Sequence, residues 1–187
     1  MTEQIESDSM RQLKTDYIMA PQQLVSCDTG DYGCNGGWPT TAYDYVESAG
    51  GLVSESDYPY TSGTAGVTGT CDTSLDSMTK LITVSNYYTL STETAMAAHV
   101  AKTGPVAIAV DASAWSSYTG GILSTCGTSI DHAVQAVGVD TSASGGYWKV
   151  RNSWGSSWGE SGFIRLAYGE DMCGLTTIPT YVDTASA

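Results

Sequence analysis

Positive charge is scarce in this chain: seven lysines and arginines stand against twenty aspartates and glutamates, a formal net charge of −13 over 187 residues. Such a surface repels phosphate backbones and anionic headgroups, so neither nucleic acid nor an anionic membrane is an expected partner. Histidine occurs only as His99 and His132, and no two cysteines are spaced C-x-x-C. A zinc site or other metal cofactor is therefore not expected, and disulfides are the better use for five cysteines, which points to an oxidising compartment. No apolar run approaches the roughly 18 residues of a membrane span. The opening Met1-Thr2-Glu3-Gln4-Ile5-Glu6 has neither the basic patch nor the apolar stretch of a secretory leader.

With 41% hydrophobic and 14% charged residues, the chain reads as globular, either one domain or two small lobes. Five is an odd number of cysteines, so at most two bridges form within the chain and one thiol is left over. Spacing alone leaves the connectivity open.

The texture changes near residue 80. Before it, Ile5, Met10 and Leu13 recur at helical spacing between Glu3 and Leu13, a second helix over Ala42 to Val46 follows Pro39, and Thr61 to Thr73 is a small-residue loop. After Lys80 the pattern is mostly strand, broken by one short helix over about Thr92 to Lys102 that Ser91 would cap and Gly104-Pro105 would end. Val106 to Val110 is a short apolar run, His132 to Val139 alternates, and Trp148, Val150, Asn152 and Trp154 fall on one face of a further alternating run.

Thr141 to Gly146 reads as a hairpin loop. Pairing Asp140 with Tyr147 then sets His132 opposite Gly155, about three residues from Asn152. His132 and Asn152 would thus share the open end of one hairpin. The spacing also fits a plain strand histidine and a turn asparagine. Gly155-Ser156-Ser157-Trp158-Gly159 matches G-x-S-x-G, but Gly162 to Tyr168 reads as a strand where the nucleophile elbow needs a helix, so that match is coincidental. His99, beside Met96 and Val100, reads as a partly exposed helix residue.

Five blocks carry more. Leu24-Val25-Ser26-Cys27-Asp28, Gly33-Cys34-Asn35-Gly36-Gly37, Asp131-His132-Ala133-Val134, Asn152-Ser153-Trp154-Gly155 with Trp158-Gly159, and Cys173-Gly174-Leu175 closely resemble, in order and separation, the papain-like cysteine peptidases. The resemblance implies an α+β fold of two lobes with a cleft between them. Residues 1–81 would form a helical lobe and 82–187 a β-barrel-like lobe.

It implies cysteine-type endopeptidase chemistry without a cofactor. A thiolate paired with a histidinium attacks the peptide carbonyl, the histidine protonates the leaving amine, and water releases the acyl-enzyme. His132 becomes the acid-base residue, Asn152 the residue that holds its ring, and Trp154 the shield over their hydrogen bond. Gly36 and Gly37 would hydrogen-bond an extended peptide through backbone. Trp38, Pro39, Ala109, Ala133 and Ile178 would line an apolar specificity pocket, with Asp131 among the substrate-binding residues. Partners follow as peptide or protein substrates and protein inhibitors, in a lysosomal, vacuolar or extracellular setting.

None of the five cysteines is followed by tryptophan or tyrosine, as the family's nucleophile is. By resemblance that nucleophile and the oxyanion donors lie upstream of the position matching Met1, so the first helix is only the end of a longer one, the first lobe is poorly packed, and the 187 residues alone are inactive. The same resemblance pairs Cys27 with Cys71 and Cys126 with Cys173, and leaves Cys34 unpaired, able to form a disulfide dimer. The surviving half of a bridge favours an incomplete gene model over an evolved inactive form. Two other function classes stay open: a catalytically dead homologue that binds peptides or inhibitors, and a disulfide-stabilised structural protein.

Overall fold

The computed structural model describes residues 1–187. Packing divides them into two compact units, Met1–Tyr87 with Val182–Ala187, and Tyr88–Tyr181.

The first unit holds helices α1 (Thr2–Leu13), α2 (Pro21–Cys27), α3 (Pro39–Ser48) and the single turn α4 (Ser62–Ala65). Pro21 and Pro39 each open a helix, where a missing N–H costs nothing because the first turn has no intrahelical acceptor for it. Helix α3 runs to Ser48, and glycines 50 and 51 with positive φ end it. Helix α1 buries Ile5 completely but leaves Met10 48% exposed, so the expected stripe of Ile5, Met10 and Leu13 does not all face inward. Its inner face is finished by polar chemistry. Buried Asp8 accepts the Thr184 N–H and hydroxyl, both at 2.9 Å, and Arg11 pairs with its other oxygen. Ile5, Met19, Tyr43, Val46, Leu52, Ile82, Val84 and Val182 form the core of this unit. A smaller cluster of Ala20, Val53 and Leu75 packs against the Cys27–Cys71 disulfide. The segment expected to be wholly loop, 61–73, contains α4, whose Ser62 is buried and hydrogen-bonded to Gln22.

Strands β1 (Ile82–Thr89) and β7 (Thr180–Ser186) are neighbours, and Ser85 donates its hydroxyl to the Asp183 carbonyl. In the second unit, helix α5 (Glu93–Lys102) precedes β2 (Val106–Val110), β3 (Ile122–Leu123), β4 (His132–Asp140), β5 (Tyr147–Arg151) and β6 (Phe163–Ala167). The cap of α5 is Thr92 and not Ser91: the Thr92 side chain accepts the Ala95 N–H at 3.1 Å. Strand order runs β2-β4-β5-β6-β3, antiparallel except for the short parallel β3–β6 pair, and Thr180 opens β7 opposite Ala107. Every residue of β2 is buried, which explains its unbroken apolar run. Met96, Ile108, Val110, Trp115, Ala136, Trp148, Val150, Ile164, Leu166 and Leu175 form the core, and Cys126–Cys173 closes this unit. Both bridges are the pairings implied by the resemblance.

Asp140 pairs with Tyr147 as expected, and the hairpin loop closes on Gly146, where a Cβ would fall 2.6 Å from the Asp140 carbonyl oxygen. The register then shifts between Ala136 and Gly138, leaving Val137 as an extra residue, so that Ala136 faces Val150 and Gln135 faces Arg151. Continuing that register sets position 152 level with Val134, not with Gln135 as an unbroken ladder would have it. Side chains alternate strictly along a strand, so one residue of slip exchanges the faces. The bulge therefore puts Asn152 on the same face as Val134 and His132.

Candidate active site

His132 opens β4, fixed by its pairing with Val110, and Asn152 follows the last residue of β5. The Asn152 N–H donates to the Gly162 carbonyl at 3.0 Å, so this position is anchored although the strand has ended. His132 Nε2 lies 2.8 Å from Asn152 Oδ1. The Ser153 N–H donates to that same Oδ1 at 2.8 Å, which identifies the atom as oxygen and not the amide nitrogen. An oxygen can only accept, so the hydrogen sits on Nε2, and in the neutral ring Nδ1 is left with its lone pair. Asn152 Nδ2 is buried without a hydrogen-bond partner.

Three tryptophans fix the ring. Trp154 stacks on His132 with centroids 5.3 Å apart, while fully buried Trp115 meets the ring edge-on at 6.1 Å. Trp158 stacks on Trp115 at 6.2 Å and donates its indole N–H to the Trp115 carbonyl at 3.2 Å. Trp154, 41% exposed, covers one face of the imidazole while Trp115 backs its edge. Trp115 was not selected from the sequence. It sits in a one-turn helix, Trp115–Ser117, whose only periodic signal is a lone aromatic among serines.

The chain matches the family described as "Papain family cysteine protease" over residues 1–182. It belongs to that family. Cysteine proteinase A of Leishmania mexicana is 42% identical over 165 residues, which cover 86% of this chain and 46% of that protein. Cathepsin L 1 of Paramecium tetraurelia is 41% identical over 173 residues, covering 91% and 51%. The bromelain protease of Ananas comosus, solved in complex with the inhibitor E64, superposes with a TM-score of 0.85 at 32% identity, covering 97% of this chain and 85% of that one. The chain thus spans about half of these curated relatives' length. With bromelain as a fold neighbour, the α+β class with papain-like topology is established.

Of the residues assigned to substrate by resemblance to this papain family, Gly36, Gly37, Trp38 and Pro39 belong to the first unit, and Ala109, Asp131, Ala133 and Ile178 to the second. Ala109 and Ala133 are cross-strand partners, one buried and one exposed. Asp131 is committed to backbone: its carboxylate accepts the Ala112 N–H at 2.8 Å, and its own N–H donates to the Val110 carbonyl. Ile178 is half-buried two residues before β7. Trp38 is exposed and donates its N–H to Asp31. The match at Gly155–Gly159 leads through a Glu160–Phe163 bridge into β6, with no helix after it. His99 is half-buried on α5 and lies 4.0 Å from the Tyr181 ring.

All the cysteines of the second unit are used in Cys126–Cys173. The one free thiol is Cys34, exposed in the first unit, where its N–H donates to Thr68 Oγ1.

Proposed function

We propose that this chain supplies the histidine-asparagine half of a cysteine endopeptidase site, with His132 as general base and acid and Asn152 as the group that holds its tautomer. The observation that carries this reading is the bond from Nε2–H to an oxygen already fixed by Ser153, which leaves Nδ1 as the basic atom. A thiol brought to Nδ1 gives up its proton there, and the resulting thiolate attacks the peptide carbonyl. The imidazolium then protonates the departing amine, and a water deprotonated by the same nitrogen releases the acyl group. Trp154 keeps water from the Nε2–H bond, so its directionality survives each proton transfer.

The nucleophile in this reading is not among the 187 residues. The unit that carries His132 has no free thiol, and Cys34 lacks the flanking aromatic of the family's nucleophile. Expressed alone, the 187 residues therefore turn over no peptide. In this reading Gly36, Gly37, Trp38 and Pro39 of the first unit contribute peptide contacts, and Ala109, Ala133 and Ile178 of the second contribute apolar ones. The ligands are peptide substrates and protein inhibitors. Two disulfides support an oxidising setting, lysosomal, vacuolar or extracellular, and exposed Cys34 supports a disulfide dimer visible as a doubled mass without reductant.

A fluorogenic peptide with a bulky apolar residue two positions before the scissile bond tests the reading. The 187-residue chain gives no turnover, fusion to the nucleophile-bearing segment of a relative restores it, and His132→Ala in the fusion removes about 10²–10⁴ of kcat/KM. Turnover by the unextended chain, or a fusion indifferent to His132→Ala, would sink it.

A further inference from the structure

Two carboxyl groups, one of them beneath Gly37, meet with no cation to neutralise them. Asp28, the residue after α2, is 7% exposed, and its Oδ1 accepts the Gly30 N–H at 2.8 Å. Its Oδ2 is buried and has no hydrogen-bond partner. Asp31 accepts the Trp38 N–H on Oδ1 at 3.0 Å, and its carboxyl lies so close under Gly37 that a Cβ there would fall 2.2 Å from Asp31 Cγ. The Asp28 and Asp31 side chains are within hydrogen-bonding reach of each other. Two ionised carboxylates present only acceptors to one another, so a bond between them requires a proton.

The surroundings supply no alternative. The Tyr45 hydroxyl on α3 also feels the Asp28 charge and receives a hydrogen bond from Gln23. The cations of this unit are engaged elsewhere: Arg11 with Asp8, Lys14 with the Arg11 carbonyl, Lys80 with the Leu75 carbonyl. Burial pushes the Asp31 carboxyl up, against the pull of the Trp38 N–H, and the Asp28 charge adds to the rise.

We propose that Asp31 is a positioning residue that holds the Gly36–Trp38 segment through a single proton shared with Asp28, so that the segment is fixed in acid and loosens as pH rises. With the proton on its outer oxygen, Asp31 donates to the orphaned Asp28 Oδ2 while its Oδ1 keeps the Trp38 N–H. When the proton leaves, two like charges face each other, and half-exposed Asp31 relieves them by turning away from Gly37, which releases Trp38. The sign follows from the raised carboxyl: the native state holds the proton more tightly than the unfolded chain. The support is complete below the ordinary carboxylate range and is lost as pH climbs through the raised value. The consequence for catalysis, weaker peptide binding at neutral pH than in acid, rests on the assignment of Gly36 and Gly37 to peptide binding.

Amide hydrogen exchange at Gly37 and Trp38 in the full-length protein, corrected for the intrinsic pH dependence of exchange, tests the pair without reference to activity. Protection of Trp38 falls about tenfold or more between roughly pH 4 and pH 7.5 in the natural protein. Asp31→Asn keeps the acceptor and supplies a permanent donor to Asp28, so its protection stays high and flat. Asp31→Ala is low throughout. A flat profile in the natural protein, or an Asn variant with the same pH dependence, overturns the proposal. Peptide affinity measured on the same samples separates the two ideas: if exchange behaves as stated and affinity does not follow it, the shared proton stands and the peptide-binding assignment of the two glycines falls.

Discussion

His132 owes its chemical polarity to a backbone amide it never touches. The Ser153 N–H decides which atom of Asn152 faces the ring, and that atom decides which ring nitrogen is basic. Replacing Asn152 by alanine in the complete enzyme frees the ring to rotate and to exchange tautomers. The expected result is a fall of about tenfold or more in kcat with little change in KM, the size of one lost hydrogen bond, read from steady-state kinetics. Ile178 belongs to the same scale. If it lines the specificity pocket, Ile178→Glu shifts preference from bulky apolar to basic residues two positions before the cleaved bond, and an unchanged profile against a peptide library would remove it from the pocket. Both key residues were legible in the sequence because each stands in a distinctive local motif. Trp115 was not, since its importance comes from burial against a ring that is distant in sequence.

Elements were legible where a single period dominates. The apolar run of β2 and the alternation of β4 and β5 predicted strands that exist, and Asp140 opposite Tyr147 predicted the hairpin. The bulge left no such mark: Val137 sits in an apolar-rich stretch with nothing to distinguish it from its neighbours. The unbroken ladder put Asn152 three residues from the partner of His132, an odd offset and hence the wrong face. Deleting Val137 is expected to remove the bulge without separating the pair, because Ala136 stays opposite Val150 and position 152 stays level with Val134. Imidazole nitrogen resonances of the deletion variant check it through retention of the Nε2–H signal. Met10 shows the opposite failure, a residue on the helical period that solvent receives because the inner face of α1 is finished by Asp8 and Thr184. A further element-scale prediction concerns Glu160, which binds Arg165 through both carboxylate oxygens. Arg165 holds the Glu160 carboxyl at about 2, below its ordinary 4.5. A depressed carboxyl stabilises the fold above its unfolded value and loses that contribution as pH falls toward 2. Arg165→Gln therefore lowers stability at neutral pH, only modestly because both side chains are partly exposed, and the difference closes in strong acid. Urea midpoints at the two extremes check it.

At the scale of the molecule, texture put the division after residue 81, whereas packing divides the chain after Tyr87, within β1, and returns Val182–Ala187 to the first unit; a return by the chain's last strand has no local signature. Each unit carries one long-range disulfide, spanning 44 and 47 residues. Replacing Cys27 and Cys71 together by alanine should cost about 4 kcal/mol from loop entropy, measurable by denaturant unfolding of the full-length protein. The aromatic cage around His132 carries a last consequence, an optical one. An indole stacked on an imidazole loses emission when that imidazole becomes a cation, and Trp154 is so placed. A positive charge on His132 should therefore dim Trp154, and emission would report the state of that ring without substrate, label or turnover.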